Sequence, residues 1–106
     1  MKLVITLRRA RALCAGGGWS GFPATLDQHR VICRPEDEEA TFFDLIGALQ
    51  ASTETADEMV EAWNVLDEFT GGTVTWEGAP GRTEADVLKL LDRAIARATA
   101  ITRKGK

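Results

Sequence analysis

Between Lys2 and Leu7 the apolar residues alternate, with Leu3, Ile5 and Leu7 on one side and Val4 and Thr6 on the other. A period of two is the pattern of a strand. It predicts a first strand over 2–7 that runs on toward Cys14, with a helix over the same residues as the alternative. Ala15 to Ala24 contains Gly16, Gly17, Gly18, Gly21 and Pro23, which predicts a loop whose Trp19 and Phe22 fold back onto apolar surface. Asp27 to Arg34 carries the β-branched pair Val31 and Ile32, and Pro35 turns the residue before it away from helical angles. A second strand is expected there, forming a hairpin with the first.

Pro35 suits the first position of a helix, and Glu36, Asp37, Glu38 and Glu39 would place negative charge in its first turn, where the free amides and the macrodipole favour it. This first helix is expected to reach about Ala51, with Phe42, Leu45, Ile46 and Leu49 on its buried face. Thr55 and Glu58 have the spacing of a capping box for a second helix that buries Met59, Trp63 and Leu66 and ends at Gly71-Gly72. The two helices are expected to form an αα-hairpin. Thr73 to Glu77 alternates and predicts a short third strand, followed by a turn at Gly78-Ala79-Pro80-Gly81. Thr83, with Asp86 three residues on, caps a third helix whose face is Val87, Leu90, Leu91, Ala94, Ala98 and Ile101, opposite Lys89, Arg93 and Arg97. Arg103 to Lys106 is expected to fray. The predicted class is α+β in the order β-β-α-α-β-α: a sheet of about three strands packed against an αα-hairpin and a C-terminal helix.

A chain of 106 residues with 44% hydrophobic and 27% charged residues fits a single globular domain over 1–106, with one core. The apolar run Leu3 to Leu7 is soon interrupted by Arg8, Arg9 and Arg11, too early for a membrane span or a secretory signal. A cytoplasmic protein with two reduced thiols, Cys14 and Cys33, is expected.

Charge changes the picture more than composition does. The net charge of −3 conceals three blocks: residues 1–34 hold six basic and one acidic residue, 35–86 one basic and fourteen acidic, and 87–106 six basic and one acidic. Arg82 is the only cation of the middle block, so the first two helices lack the usual acid–base pairs four residues apart. Glu54, Asp57, Glu61 and Glu68 form an acidic stripe on the second helix. Glu54 with Glu58, and Asp57 with Glu61, are like-charge pairs costing about 0.2–0.5 kcal/mol each on an exposed helix. Water, salt and the chain's own basic ends would offset that cost, or an external basic surface would.

Other chemistry is weakly signalled. The glycine-rich stretch lacks the Gly-Lys-Ser/Thr ending of a phosphate loop and the spacing of a dinucleotide fingerprint. Cys14, His29 and Cys33 would be the core of a thiol or metal enzyme. On a strand, however, His29 and Cys33 would stand about 13 Å apart, against about 4 Å between ligands of one zinc ion. No cofactor is expected. None of the sixteen carboxylates lies in a sequence pattern that marks it as buried beside a second acid. Phe42 and Phe43 are adjacent and about 100° apart on a helix, so either one is exposed and able to anchor a partner, or the helix is buried on a broad face that takes both. The leading expectation is a non-enzymatic protein-binding regulator or inhibitor with no membrane contact. Its acidic residues Glu54, Asp57, Glu58, Glu61, Glu68, Glu36, Asp37, Glu38 and Glu39 would meet a basic surface, such as that of nucleic-acid-handling machinery or a basic toxin. The alternative is a nucleic-acid-binding accessory protein acting through Arg8, Arg9 and Arg11 with Lys89, Arg93 and Arg97.

Overall fold

The computed structural model describes residues 2–21 and 23–104, with side chains up to 101. The expected contact of Phe22 and the fraying of Gly105 and Lys106 lie outside the described residues. The elements are α1 (Lys2–Cys14), β1 (Leu26–Asp27), β2 (Ala40–Phe42), α2 (Leu45–Ser52), α3 (Ala56–Thr70), α4 (Thr73–Glu77) and α5 (Glu84–Lys104). The molecule is thus helical with one two-stranded antiparallel sheet, α+β in the broad sense, and the three-stranded sheet is not formed.

The first expected strand is a helix. Over thirteen residues the helical period wins, because Val4, Leu7, Ala10 and Cys14 fall on one face and are all buried, while Arg8, Arg9 and Ala12 are exposed. Six alternating residues were too few to separate the two periods, and packing overrides the β preference of Val4, Ile5 and Thr6. α1 packs against α5, α2 and α3. Leu7, Leu45, Leu49, Leu66 and Leu91 are fully enclosed in the resulting core, each contributing about 1.5–3 kcal/mol relative to exposure.

The second expected strand shrinks to β1 because Asp27 closes a turn. Its Oδ1 accepts the backbone N–H groups of His29 (2.8 Å) and Val31 (3.0 Å), and its carbonyl accepts that of Arg30 (2.9 Å). Arg30 takes a left-handed φ of 62° there. Val31 and Ile32 are left exposed, although Ile32 keeps an isolated bridge to Leu26. β1 pairs with β2, Leu26 opposite Phe42, and not with the N-terminal segment.

The first expected helix starts ten residues later than Pro35. Asp37 Oδ2 accepts the Arg34 N–H (3.1 Å) and the Asp37 carbonyl accepts that of Ala40 (3.1 Å), so Glu36–Glu39 form turns and not a helical first turn. Phe42 then belongs to β2, and Asp44 caps α2 through the Gly47 N–H (3.1 Å). Of the predicted face, Leu45 and Leu49 are buried and Ile46 is exposed. The capping of α3 is as expected: Thr55 Oγ1 accepts the Glu58 N–H (3.2 Å), while the Glu58 carboxylate reaches back to the Glu54 N–H (2.8 Å). Gly71 ends α3 at φ 73°. Leu66 is buried with Ala62 and Val65, and Met59 and Trp63 are half-buried. α2 and α3 touch, as an αα-hairpin should.

The third expected strand is also a helix, α4, and Asp67 is the cause. Its Oδ1 accepts both the N–H (3.0 Å) and the hydroxyl (2.7 Å) of Thr73, an N-terminal anchor that lets Trp76 N–H reach the Gly72 carbonyl (3.0 Å). The cap of α5 is reciprocal between Thr83 and Asp86. Val87, Leu90, Leu91, Ala94 and Ala98 are buried, while Ile101 is exposed.

Gly47 has no room for a side chain, since a Cβ there would collide with Thr25 Oγ1 and Asp44 Oδ1. Gly47→Ala is therefore expected to disturb the α2 cap and cost about 1–3 kcal/mol, read as a lower urea midpoint. A midpoint equal to that of the parent would show that the cap relaxes freely.

Candidate functional site

The glycine-rich loop is held in place by three hydrogen bonds to two residues, Phe43 and Glu84. Phe43 N–H donates to the Gly18 carbonyl (2.7 Å) and Ser20 N–H to the Phe43 carbonyl (2.9 Å), while Gly17 N–H donates to Glu84 Oε2 (3.2 Å) at the start of α5. One of the loop's own amides is thus engaged by a carboxylate, which argues against a phosphate cradle. So fixed, the loop places the Trp19 indole where its Nε1 donates to Glu77 Oε2 (2.7 Å) at the end of α4. The same oxygen accepts the N–H of Leu45, the first residue of α2 (2.8 Å).

Beside this junction lies a cleft of about 630 Å³, walled by Trp19, Trp63, Pro23 and the Gly78–Arg82 turn, with Asp44 and Glu77 in its lining. Its volume is that of a small-ligand site. Burial raises the pKa of both carboxyls above the ordinary values of 3.8 and 4.5, and for Glu77 the charge of Asp44 adds to the rise. Hydrogen bonds to Glu77 from Trp19 and Leu45, and to Asp44 from Gly47, offset part of it. Sequence spacing gave no sign of this pair, because residues 44 and 77 meet only through the loop and α4. Behind them, the buried thiol of Cys14 is pushed up to about 12 by desolvation first and then by Glu77, Asp44 and Glu84, so it is not a nucleophile.

Arg82, the cation in the cleft lining, is engaged elsewhere. Its Nε donates to the Trp76 carbonyl (2.8 Å), its guanidinium lies 3.9 Å from the Trp76 ring centroid, and Asp86 stands at 3.8 Å.

The expected acidic residues fall into separate groups. Glu58 and Glu68 are paired within the chain, with Lys2 (3.3 Å) and Arg97 (3.1 Å). The Glu58 carboxyl sits below its ordinary value, chiefly through the Glu54 N–H. Asp57 and Glu61 on α3 are exposed, as is Glu54, expected on the same helix but lying just before its Thr55 cap; the three take part in no ion pair among the described residues. Glu36–Glu39 lie in the turns before β2, where Glu38 and Glu39 with Asp27 and His29 line a shallow hollow. The structure does not bring this tract onto α3.

The other candidates are also dispersed. Arg11 pairs with Asp92 at 2.6 Å, whereas Arg8, Arg9, Lys89 and Arg93 are exposed. Cys14 is in the core, Cys33 half-buried and His29 exposed at the β1 turn, and both thiols are free. Among the described residues no three His, Cys, Asp or Glu side chains are grouped to hold a metal. Phe43 is buried, and Phe42 is half-covered by the Arg30 guanidinium, 4.5 Å from its ring centroid. No described helix is long and apolar enough to cross a membrane.

Because the folded state raises the pKa of Glu77, its ionised form destabilises the fold, and that penalty disappears as pH falls through the raised value to the ordinary 4.5. Glu77→Gln keeps an acceptor for Trp19 and Leu45 and removes the charge. The variant is expected to be more stable than the parent at neutral pH, with the gap closing as pH falls through the carboxylate range, measured by urea unfolding at several pH values. A gap independent of pH would mean that Glu77 titrates normally.

No curated protein and no solved structure matches the chain. The sequence model of one family, described as a family of unknown function (DUF6197), matches residues 2–97, a span that runs from the start of α1 into the last turns of α5 and contains every residue of the cleft. The chain therefore belongs to the DUF6197 family.

Proposed function

We propose that the protein is a small cytoplasmic, non-enzymatic protein-binding regulator or inhibitor whose acidic α3 face docks on the basic surface of a partner. The observation that carries this reading is the distribution of internal cations. Lys2, Arg11, Arg82 and Arg97 are engaged by Glu58, Asp92, Asp86 and Glu68, which leaves Glu54, Asp57 and Glu61 exposed without an ion pair among the described residues. Asp57 and Glu61 stand one turn apart, and no ion pair among the described residues relieves their repulsion. A basic surface would. Partners of that kind include nucleic-acid-handling proteins and basic toxins. Nucleic-acid binding through Arg8, Arg9, Lys89 and Arg93, which are also exposed and without an ion pair among the described residues, is the second reading, and the net charge of −3 weighs against it.

Changing Glu54, Asp57, Glu61 and Glu68 together to glutamine removes the stripe and keeps helix propensity. The loss of the exposed Arg97–Glu68 pair costs at most about 1 kcal/mol, so the fold is expected to survive. Partners captured from the native cell extract by the parent should bind the quadruple variant about tenfold more slowly at low salt, the difference shrinking as salt rises. Recovery of the same partners with equal affinity would show that the stripe is only solvated.

A further inference from the structure

The cleft beside α3 has a composition that the exposed stripe lacks. Two indoles, Trp19 and Trp63, stand in its walls, and Asp44 and Glu77 line it. Asp44 is only 4% exposed. Each carboxylate uses one oxygen to hold the fold: Glu77 Oε2 for Trp19 and Leu45, and Asp44 Oδ1 for Gly47 and, more weakly, Thr25 at 3.5 Å. The Asp44 carboxyl also takes a hydrogen bond from its own backbone N–H, whereas Glu77 Oε1 receives none from a described residue. Arg82, also in the lining, already has Trp76 and Asp86 as partners. A cleft with two indoles and two carboxylates in its lining is complementary to a cationic group. A cation is attracted to indole faces, and more strongly so when desolvated, and its N–H groups would complete the carboxylates' hydrogen bonding.

We propose that the cleft seats a single basic side chain, arginine or lysine, presented by the partner. This rests on the reading of the protein as a binder of basic surfaces, and makes it more specific: the α3 stripe would attract the partner and the cleft would hold one residue of it. The volume of about 630 Å³ accommodates the side chain with part of its flanking backbone. Trp63 lies about 120° round α3 from Asp57, so stripe and cleft are on different flanks of the same helix and would meet different parts of one partner surface. The seated cation faces Asp44, Glu77 and Arg82 in the cleft lining, the last already engaged by Asp86 and Trp76, with Cys14 and Glu84 behind them. Of these, the two carboxyls are held above their ordinary values, since burial raises both of their pKa values.

The test uses single blocked amino acids, so its outcome does not depend on whether any protein partner is found. N-acetyl-arginine amide, N-acetyl-lysine amide and the neutral isostere N-acetyl-citrulline amide are titrated into the full chain, with the Trp19, Trp63 and Trp76 indole signals followed by NMR. Saturable shifts of Trp19 and Trp63 with the arginine or lysine compound, and none with citrulline, are expected. Whichever of the two cations binds tighter identifies the residue presented. Glu77→Gln should weaken that binding about tenfold, the size of a lost charged hydrogen bond. In the unmodified protein the affinity should fall as pH is lowered through the carboxylate range, a readout that needs no variant. Equal shifts with citrulline, no saturation with either cation, or an affinity indifferent to pH would each overturn the proposal.

Discussion

One carboxylate oxygen fixes three otherwise separate parts of the chain. Glu77 Oε2 receives the Trp19 indole from the glycine-rich loop and the Leu45 amide from the start of α2, and Glu77 itself is the last residue of α4. The junction adds to the Phe43 and Glu84 contacts of the loop and to the Asp67 anchor of α4, and ties the two together beside the cleft. The arrangement is costly, because the same burial that strengthens the two hydrogen bonds penalises the charge that accepts them. The fold compensates around it: Leu7, Leu45, Leu49, Leu66 and Leu91 are fully enclosed nearby, and Asp44 and Thr55 cap the two helices of the hairpin.

The sequence was most legible where short-range chemistry decides. Thr55 with Glu58, Gly71, and Thr83 with Asp86 start or stop helices through groups three or four residues apart, and each does so here. Legibility failed where one side chain competes with propensity over a short window. Asp27, Asp37 and Asp67 each accept local backbone N–H groups. In doing so they turned an expected strand into a hairpin tip, an expected helix start into turns, and an expected strand into α4. The N-terminal segment failed for a different reason, since alternation over Lys2–Leu7 is compatible with both periods until Ala10 and Cys14 are included.

The candidate site was legible only in part. The excess of acid over residues 35–86 anticipated a helix α3 with exposed carboxylates, and also the alternative that the chain's own cations would cover some of them, as Lys2 and Arg97 do. The cleft was not anticipated. The sequence pattern puts Asp44 inside a helix and Glu77 on a strand, whereas their proximity depends on Asp44 capping α2 and Glu77 ending α4. Trp19, placed in a loop folding back onto apolar surface, does fold back, but its polar edge finds a carboxylate. A buried indole N–H requires an acceptor, and that requirement is the signal from which the site could have been suspected.

The central claim is that Glu77 binds Trp19 and Leu45 as a single unit. NMR observation of the Trp19 indole N–H and the Leu45 amide across an acid titration tests it directly. The account predicts that both signals move together, with one shared midpoint above the ordinary glutamate value of 4.5. Independent midpoints, or a shared midpoint at or below that value, would contradict it.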